Sequence, residues 1–185
     1  CEKCSKFTVQ KKCSCGGDNV YKWGPNPYVG DSFITSNVAQ ILVGENGTLG
    51  VTTSGSIGRW GMTYDASSPP SGTFVKVSYD WEHACALDTS GSIQCWGDDD
   101  DGMATPPSGT FCDVGVGSAH SCAMDCSGQI QCWGRSDLIT APSDNFIQMD
   151  VGNYYSCAVD SAGLVQCWGN NAYGQSSVPS AIAGP

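Results

Sequence analysis

One phrase is written three times in this chain: "CALDTSGSIQCWG" at 85 to 97, "CAMDCSGQIQCWG" at 122 to 134 and "CAVDSAGLVQCWG" at 157 to 169. A phrase that returns in register marks a packing unit, and its period is the strongest constraint on the fold. The Trp-Gly pair measures that period, standing at Trp23, Trp60, Trp96, Trp133 and Trp168, so the steps are 37, 36, 37 and 35 residues. Upstream of each Trp, "FVKVSYDWEHAC" (74 to 85) aligns without gaps to "FCDVGVGSAHSC" (111 to 122), "FIQMDVGNYYSC" (146 to 157) and, more loosely, "VAQILVGENGTL" (38 to 49). The chain therefore reads as one domain, 1–185. Its repeat cores are 38–61, 74–97, 111–134 and 146–169, and a degenerate first unit occupies 1–24.

Each unit reads as β. Short segments such as "HACALD" and "SIQCWG" flank Asp-Thr-Ser-Gly, which suits a three-residue hairpin with Gly91 in the left-handed region. Gly55, Gly128 and Gly163 hold the same place. A hairpin centred on Ser90 sets Cys85 opposite Cys95, and the same symmetry pairs Cys122 with Cys132 and Cys157 with Cys167. The unit at 38–61 carries Leu49 and Arg59 at those positions, so it must hold without a bridge.

Both faces of these strands are apolar or small, and no segment approaches the length of apolar chain that spans a bilayer, so no membrane insertion is expected here. Small sheets apolar on both faces must stack, and several around one axis make a β-propeller. "HSCAMDCSGQIQCWG", preceded by "FCDVGVG" and followed in the last unit by "NNAYGQSSVP", resembles the RCC1-like β-propeller repeat, in the short cysteine-bearing form of plant crinkly-type receptor ectodomains. It is also similar in fold to the secreted bacterial β-lactamase inhibitory protein. The resemblance covers residues 38 to 178 and implies an all-β, disulfide-stapled propeller. Such families usually close with seven blades, and this chain shows about five units. A closed small ring is the favoured reading, with an open arc or a piece of a longer chain as the alternatives.

Twelve cysteines in 185 residues point to an oxidising compartment and a secreted or extracellular protein. Cys112 and Cys126 share a unit and are paired by default. Cys1, Cys4, Cys13 and Cys15 have a spacing that also suits zinc, but beside so many bridges two local disulfides are preferred, and no metal or other cofactor is assigned. A start at Cys1 rather than Met reads as a processed or trimmed product. With 8 basic against 18 acidic residues the net charge is −10, which repels a phosphate backbone, so nucleic acid is not an expected partner.

No catalytic residue is assigned. His83 and His120 occupy one repeat position, filled by Tyr155 and Gly47 elsewhere, and read as structural hydrogen-bonders. The recurrent tryptophans read as wedges between blades. Function should lie where the units differ, in the loops after each Trp-Gly, because loops on a rigid scaffold carry recognition. Tyr28, Tyr64, Asp65, Asn170, Asn171 and Tyr173 form the candidate ligand set there. Asp98 to Asp101 read as a solvated acidic turn, since four consecutive carboxylates do not face one calcium ion. Asn46, in the sole Asn-x-Ser/Thr sequon, is the candidate glycosylation site.

The expected function is a non-catalytic extracellular interaction or structural module of a cell-surface, receptor or filament glycoprotein, binding a protein partner or assembling with itself. A lectin-like glycan binder and a secreted enzyme inhibitor are the alternatives. One terminal segment, Val178 to Ile182 or Phe7 to Val9, is expected to add a strand to the blade at the opposite end of the chain.

Overall fold

A computed structural model describes residues 37–43, 47–60 and 68–184. The N-terminal unit, including Cys1, Cys4, Cys13, Cys15, Phe7 to Val9, Trp23 and Tyr28, lies outside the described residues, as do Asn46, Tyr64 and Asp65.

The described chain is all-β, with four three-stranded antiparallel sheets following one another along the sequence. They are β1 (Val38–Val43), β2 (Thr48–Thr52) and β3 (Ile57–Trp60); β4 (Phe74–Asp80), β5 (His83–Asp88) and β6 (Ile93–Gly97); β7 (Phe111–Val116), β8 (His120–Asp125) and β9 (Ile130–Gly134); β10 (Phe146–Val151), β11 (Tyr155–Asp160) and β12 (Val165–Gly169). The middle strand is central in each sheet, and the first strand carries a register shift at one position, between Phe74 and Lys76 in the second sheet and at the matching places in the others.

The second hairpins explain the repeated phrase. In the turn after β5, Asp88 Oδ1 accepts hydrogen bonds from Ser90 N (2.8 Å), Ser90 Oγ (2.6 Å) and Ser92 N (3.0 Å). Asp125 does the same for Ser127 and Gln129, Asp160 for the backbone of Ala162 and Leu164, and Thr52 Oγ1 accepts from Ser56 N. An Asx turn of this kind holds the chain reversal by itself. Gly91 follows at φ 84°, where a side chain is strained and a Cβ would stand 2.6 Å from Thr110 Cγ2.

With the turn so placed, Leu49 faces Arg59, Cys85 faces Cys95, Cys122 faces Cys132 and Cys157 faces Cys167. The last three pairs are disulfides with Cα separations of 4.0 to 4.1 Å. A fourth disulfide joins Cys112, at the register shift of β7, to Cys126 in the turn after β8.

Between sheets lie three apolar clusters of one design. Leu49, Val51 and Ile57 of the first sheet meet Phe74, Val77, Ala86 and Trp96 of the second. Cys85, Leu87, Ile93 and Cys95 meet Phe111, Val114, Ala123 and Trp133 of the third. Cys122, Met124, Ile130 and Cys132 meet Phe146, Met149, Ala158 and Trp168 of the fourth. Each sheet thus has a trailing face, with the disulfide or its Leu49 substitute, and in the last three sheets the leading face carries the Phe and the Trp. A backbone bond crosses every joint: Phe74 N donates to Gly55 O (2.9 Å), Phe111 N to Gly91 O (2.8 Å) and Phe146 N to Gly128 O (2.9 Å). Burying each Phe contributes roughly 1.5 to 3 kcal/mol.

The C-terminal tail departs from expectation. Val165 N donates to Ile182 O (2.7 Å) and Gly184 N to Val165 O (3.0 Å), so the tail lies beside β12 of its own last sheet and, among the described residues, pairs with no strand of another sheet. The backbone edge of β12 is the nearest row of open hydrogen-bonding groups to a chain that has just left it.

Candidate functional site: the Trp-Gly loop rim

In the last three sheets the loop after Trp-Gly begins at a glycine in the left-handed region, Gly97, Gly134 or Gly169. Gly97 has φ 103°, and a Cβ there would lie 2.2 Å from Glu82 O. This close approach lets Asp98 N donate to Glu82 O, Arg135 N to Ala119 O and Asn170 N to Tyr154 O. The turns between first and second strands and the Trp-Gly loops therefore share one rim.

Two of the loops have the same internal wiring. Asp98 Oδ1 accepts from Asp100 N (3.2 Å), and Asn170 Oδ1 accepts from Ala172 N (2.8 Å). Asp99 accepts from Ala104 N and Thr105 Oγ, both at 2.7 Å, while Asn171 accepts from Ser176 N (3.1 Å) and donates to Ser177 Oγ (2.9 Å). The candidates Asn170 and Asn171, like Asp98 and Asp99, are thus engaged in folding their own loops. Tyr173 differs, being 95% exposed and held only through its backbone, where its N–H donates to Gln175 Oε1. Asp100 and Asp101 stay exposed.

The loops after Gly97 and Gly134 then plug the next sheet. Met103 is buried against the place where a Cβ on Gly134 would sit, and Leu138 does the same beneath Gly169. Met103 O also accepts from Trp133 Nε1 (2.9 Å) and Ser121 Oγ (3.2 Å). The Arg135 loop is two residues shorter, so no carbonyl reaches Trp168 Nε1, which has no partner among the described residues.

Three rim residues were not singled out from sequence. Arg135 binds both Asp137 oxygens, at 2.7 and 3.1 Å, and its guanidinium lies 5.1 Å from the centre of the Tyr154 ring. That hydrogen bond holds the Asp137 carboxyl below its ordinary range. Trp81 stands half-exposed in the two-residue turn between β4 and β5 with φ 46°, an unusual conformation for a bulky residue. The available signal was a break in the repeat, since Ser118 and Asn153 occupy the equivalent place.

The histidines lie behind this rim, between sheets. His83 Nε2 is 2.8 Å from Ser121 Oγ, and His120 Nε2 is 2.8 Å from Ser156 Oγ, with all four residues fully buried. The Ser121 hydroxyl donates to Met103 O, so His83 Nε2–H donates to Ser121. Burial is the main force pulling both imidazoles down to about 4; repulsion from His120 when that ring is protonated adds to it for His83, and the Arg135 charge adds to it for His120. A neutral His–Ser pair here links adjacent sheets, shielded from solvent on all sides. Among the described residues no three His, Cys, Asp or Glu side chains converge as metal ligands would.

The model for the regulator of chromosome condensation (RCC1) repeat matches residues 74–102, 111–138 and 146–175, one match for each of the last three sheets. The chain belongs to the RCC1-repeat family. No curated protein matches the sequence. Among solved structures, this RCC1-like chain is similar to the CRINKLY WD40 ectodomain of the Arabidopsis thaliana receptor kinase ACR4, with 22% identity, TM-score 0.62, and 72% of this chain covering 50% of that one. The ectodomain of the Physcomitrella patens receptor kinase CR4 gives 23%, 0.63, 75% and 40%. Prp20p of Saccharomyces cerevisiae gives 14%, 0.64, 78% and 46%. These likenesses are of fold, and the RCC1-like chain spans half or less of each relative's length.

Proposed function

We propose that this RCC1-like chain is a non-catalytic extracellular module that binds a protein partner through its Trp-Gly loop rim. The observation that carries the reading is the set of four disulfides on an RCC1 framework, because such bridges form and persist in oxidising compartments. Similarity to two receptor-kinase ectodomains supports the same location. Protein binding is in keeping with the family, since the yeast RCC1 structures concern Kap60, Gsp1p and histones. On the rim, Trp81, Tyr154 and Tyr173 offer exposed aromatic area of the kind that anchors protein interfaces. A lectin reading is less favoured, since the amides of Asn170 and Asn171 are engaged within their loop.

The test is a binding screen of the disulfide-intact chain against cell-surface and secreted proteins, followed by rim and turn variants. Trp81→Ala with Tyr154→Ala and Tyr173→Ala should abolish capture of the partner, and Ser90→Ala with Gln129→Ala, on the opposite turns, should not. Equal loss in both variants, or free thiols in the secreted protein, overturns the reading.

A further inference from the structure

The three joints define what each face of a sheet accepts, and the described stack ends in one face of each kind. On the leading face of the first sheet, Val38, Ile41 and Val43 are 39%, 60% and 80% exposed. Their equivalents Phe74, Val77 and Tyr79 are buried against the preceding sheet. On the trailing face of the fourth sheet, Cys157, Val159, Val165 and Cys167 are only half-buried, while the equivalent Cys122 and Met124 are buried. Space is open at Gly163, where nothing lies within 4 Å of the position of a Cβ; at Gly55, Gly91 and Gly128 the first strand of the next sheet fills that space. The tail bonds the backbone edge of Val165 and leaves Ile182 exposed.

A polar detail matches the two ends to each other. At the first joint, Gln40 Nε2 donates to Val77 O (3.2 Å) and Val77 N donates to Gln40 Oε1 (3.0 Å). Gln148 of the fourth sheet stands at the repeat position of Gln40 and is exposed, and Ile41 of the first sheet stands at the position of Val77.

We propose that a second copy of this chain completes the joint, its first sheet packing on the fourth sheet of its neighbour. Gln148 then bonds both backbone groups of Ile41 in the adjoining copy, and the backbone N–H of that copy's Val38 donates to Gly163 O. Ile41 and Val43 cover Val159 and the Cys157–Cys167 disulfide. Because the contact joins two different faces, it is heterologous and gives a closed ring or a chain of copies. It extends the protein-interaction reading by naming one partner, and it is tested on pure protein so that its failure is separate from failure of the rim.

The experiment is sedimentation equilibrium of the disulfide-intact chain at micromolar to hundred-micromolar concentration. The unaltered chain should at least double its mass as concentration rises. Ile41→Glu with Val43→Glu, and separately Val159→Glu, should each stay monomeric alone, while an equimolar mixture should form a one-to-one dimer and nothing larger. Recovery on mixing also shows that both variants are folded. Gln148→Ala should weaken association several-fold. A chain that stays monomeric throughout, as it does if its own N-terminal unit covers these faces, overturns the proposal, as does association that neither variant reduces.

Discussion

The first and third joints bring equivalent sheets together with different side chains. At the third, the Cys122–Cys132 disulfide lies in the cluster with Trp168, and His120 reaches Ser156 across the gap. At the first, Leu49 replaces the disulfide, Gly47 and Ala84 stand where His and Ser would be, and Gln40 bonds the backbone of Val77 instead. His and Ser are present together or missing together, as expected when either alone leaves a buried polar group unpaired. Both joints keep the turn glycine bonded to the Phe N–H and an apolar cluster around a Trp. Those shared contacts hold the sheets together, and the disulfides and His–Ser pairs are added to them.

The sharpest way to break this comparison is to remove a shared contact. Trp133→Ala should cost about 3 to 5 kcal/mol by thermal or denaturant unfolding, since it empties a buried site and leaves Met103 O with one donor fewer. A cost below about 1 kcal/mol would move the Trp into the dispensable group.

Acid should separate the joints next. The folded pKa of His83 and His120 is about 4 against an ordinary 6.5, so the unfolded chain takes up protons first. Their contribution is complete above pH 6.5 and is lost as pH falls towards 4, on the order of 3 kcal/mol for each histidine. Urea midpoints measured across that window should fall steeply for the unaltered chain and only slightly for His83→Gly with Ser121→Ala and His120→Gly with Ser156→Ala, which copy the first joint.

Removing a bridge should be milder still. Cys122→Ala with Cys132→Ala should cost about 2 to 3 kcal/mol and leave the β-sheet circular dichroism unchanged. The smallest effect comes from adding one: Leu49→Cys with Arg59→Cys places two thiols at a register position that elsewhere holds Cα atoms 4.0 to 4.1 Å apart. The new crosslink offsets the loss of the buried leucine, so the melting midpoint should move by less than the equivalent of about 1 kcal/mol.

Much of this was legible from local pattern. Gly91 after Asp-Thr-Ser marks a turn whose centre determines strand register, and register sets Cys85 against Cys95 without reference to any other part of the chain. The rim was legible only as a location. Asn170 and Asn171 look like ligand groups in sequence, yet their amides close their own loop, while Trp81 and Tyr154 became visible through exposure. Phase alone gave His83 and His120 a structural role but not their partners, which lie one repeat away.

By itself the sequence determined what repeats: the period, the hairpins, the cross-strand cysteine positions and two apolar faces for every sheet. Those depend on interactions within about a dozen residues, where geometry is limited by the turn. Tertiary structure decided which faces meet, that Met103 O serves both Trp133 and Ser121, that two histidines lose their charge through burial, and that the tail returns to β12. Each of these turns on groups brought together from separate units, and a periodic sequence specifies the units far more tightly than the spaces between them.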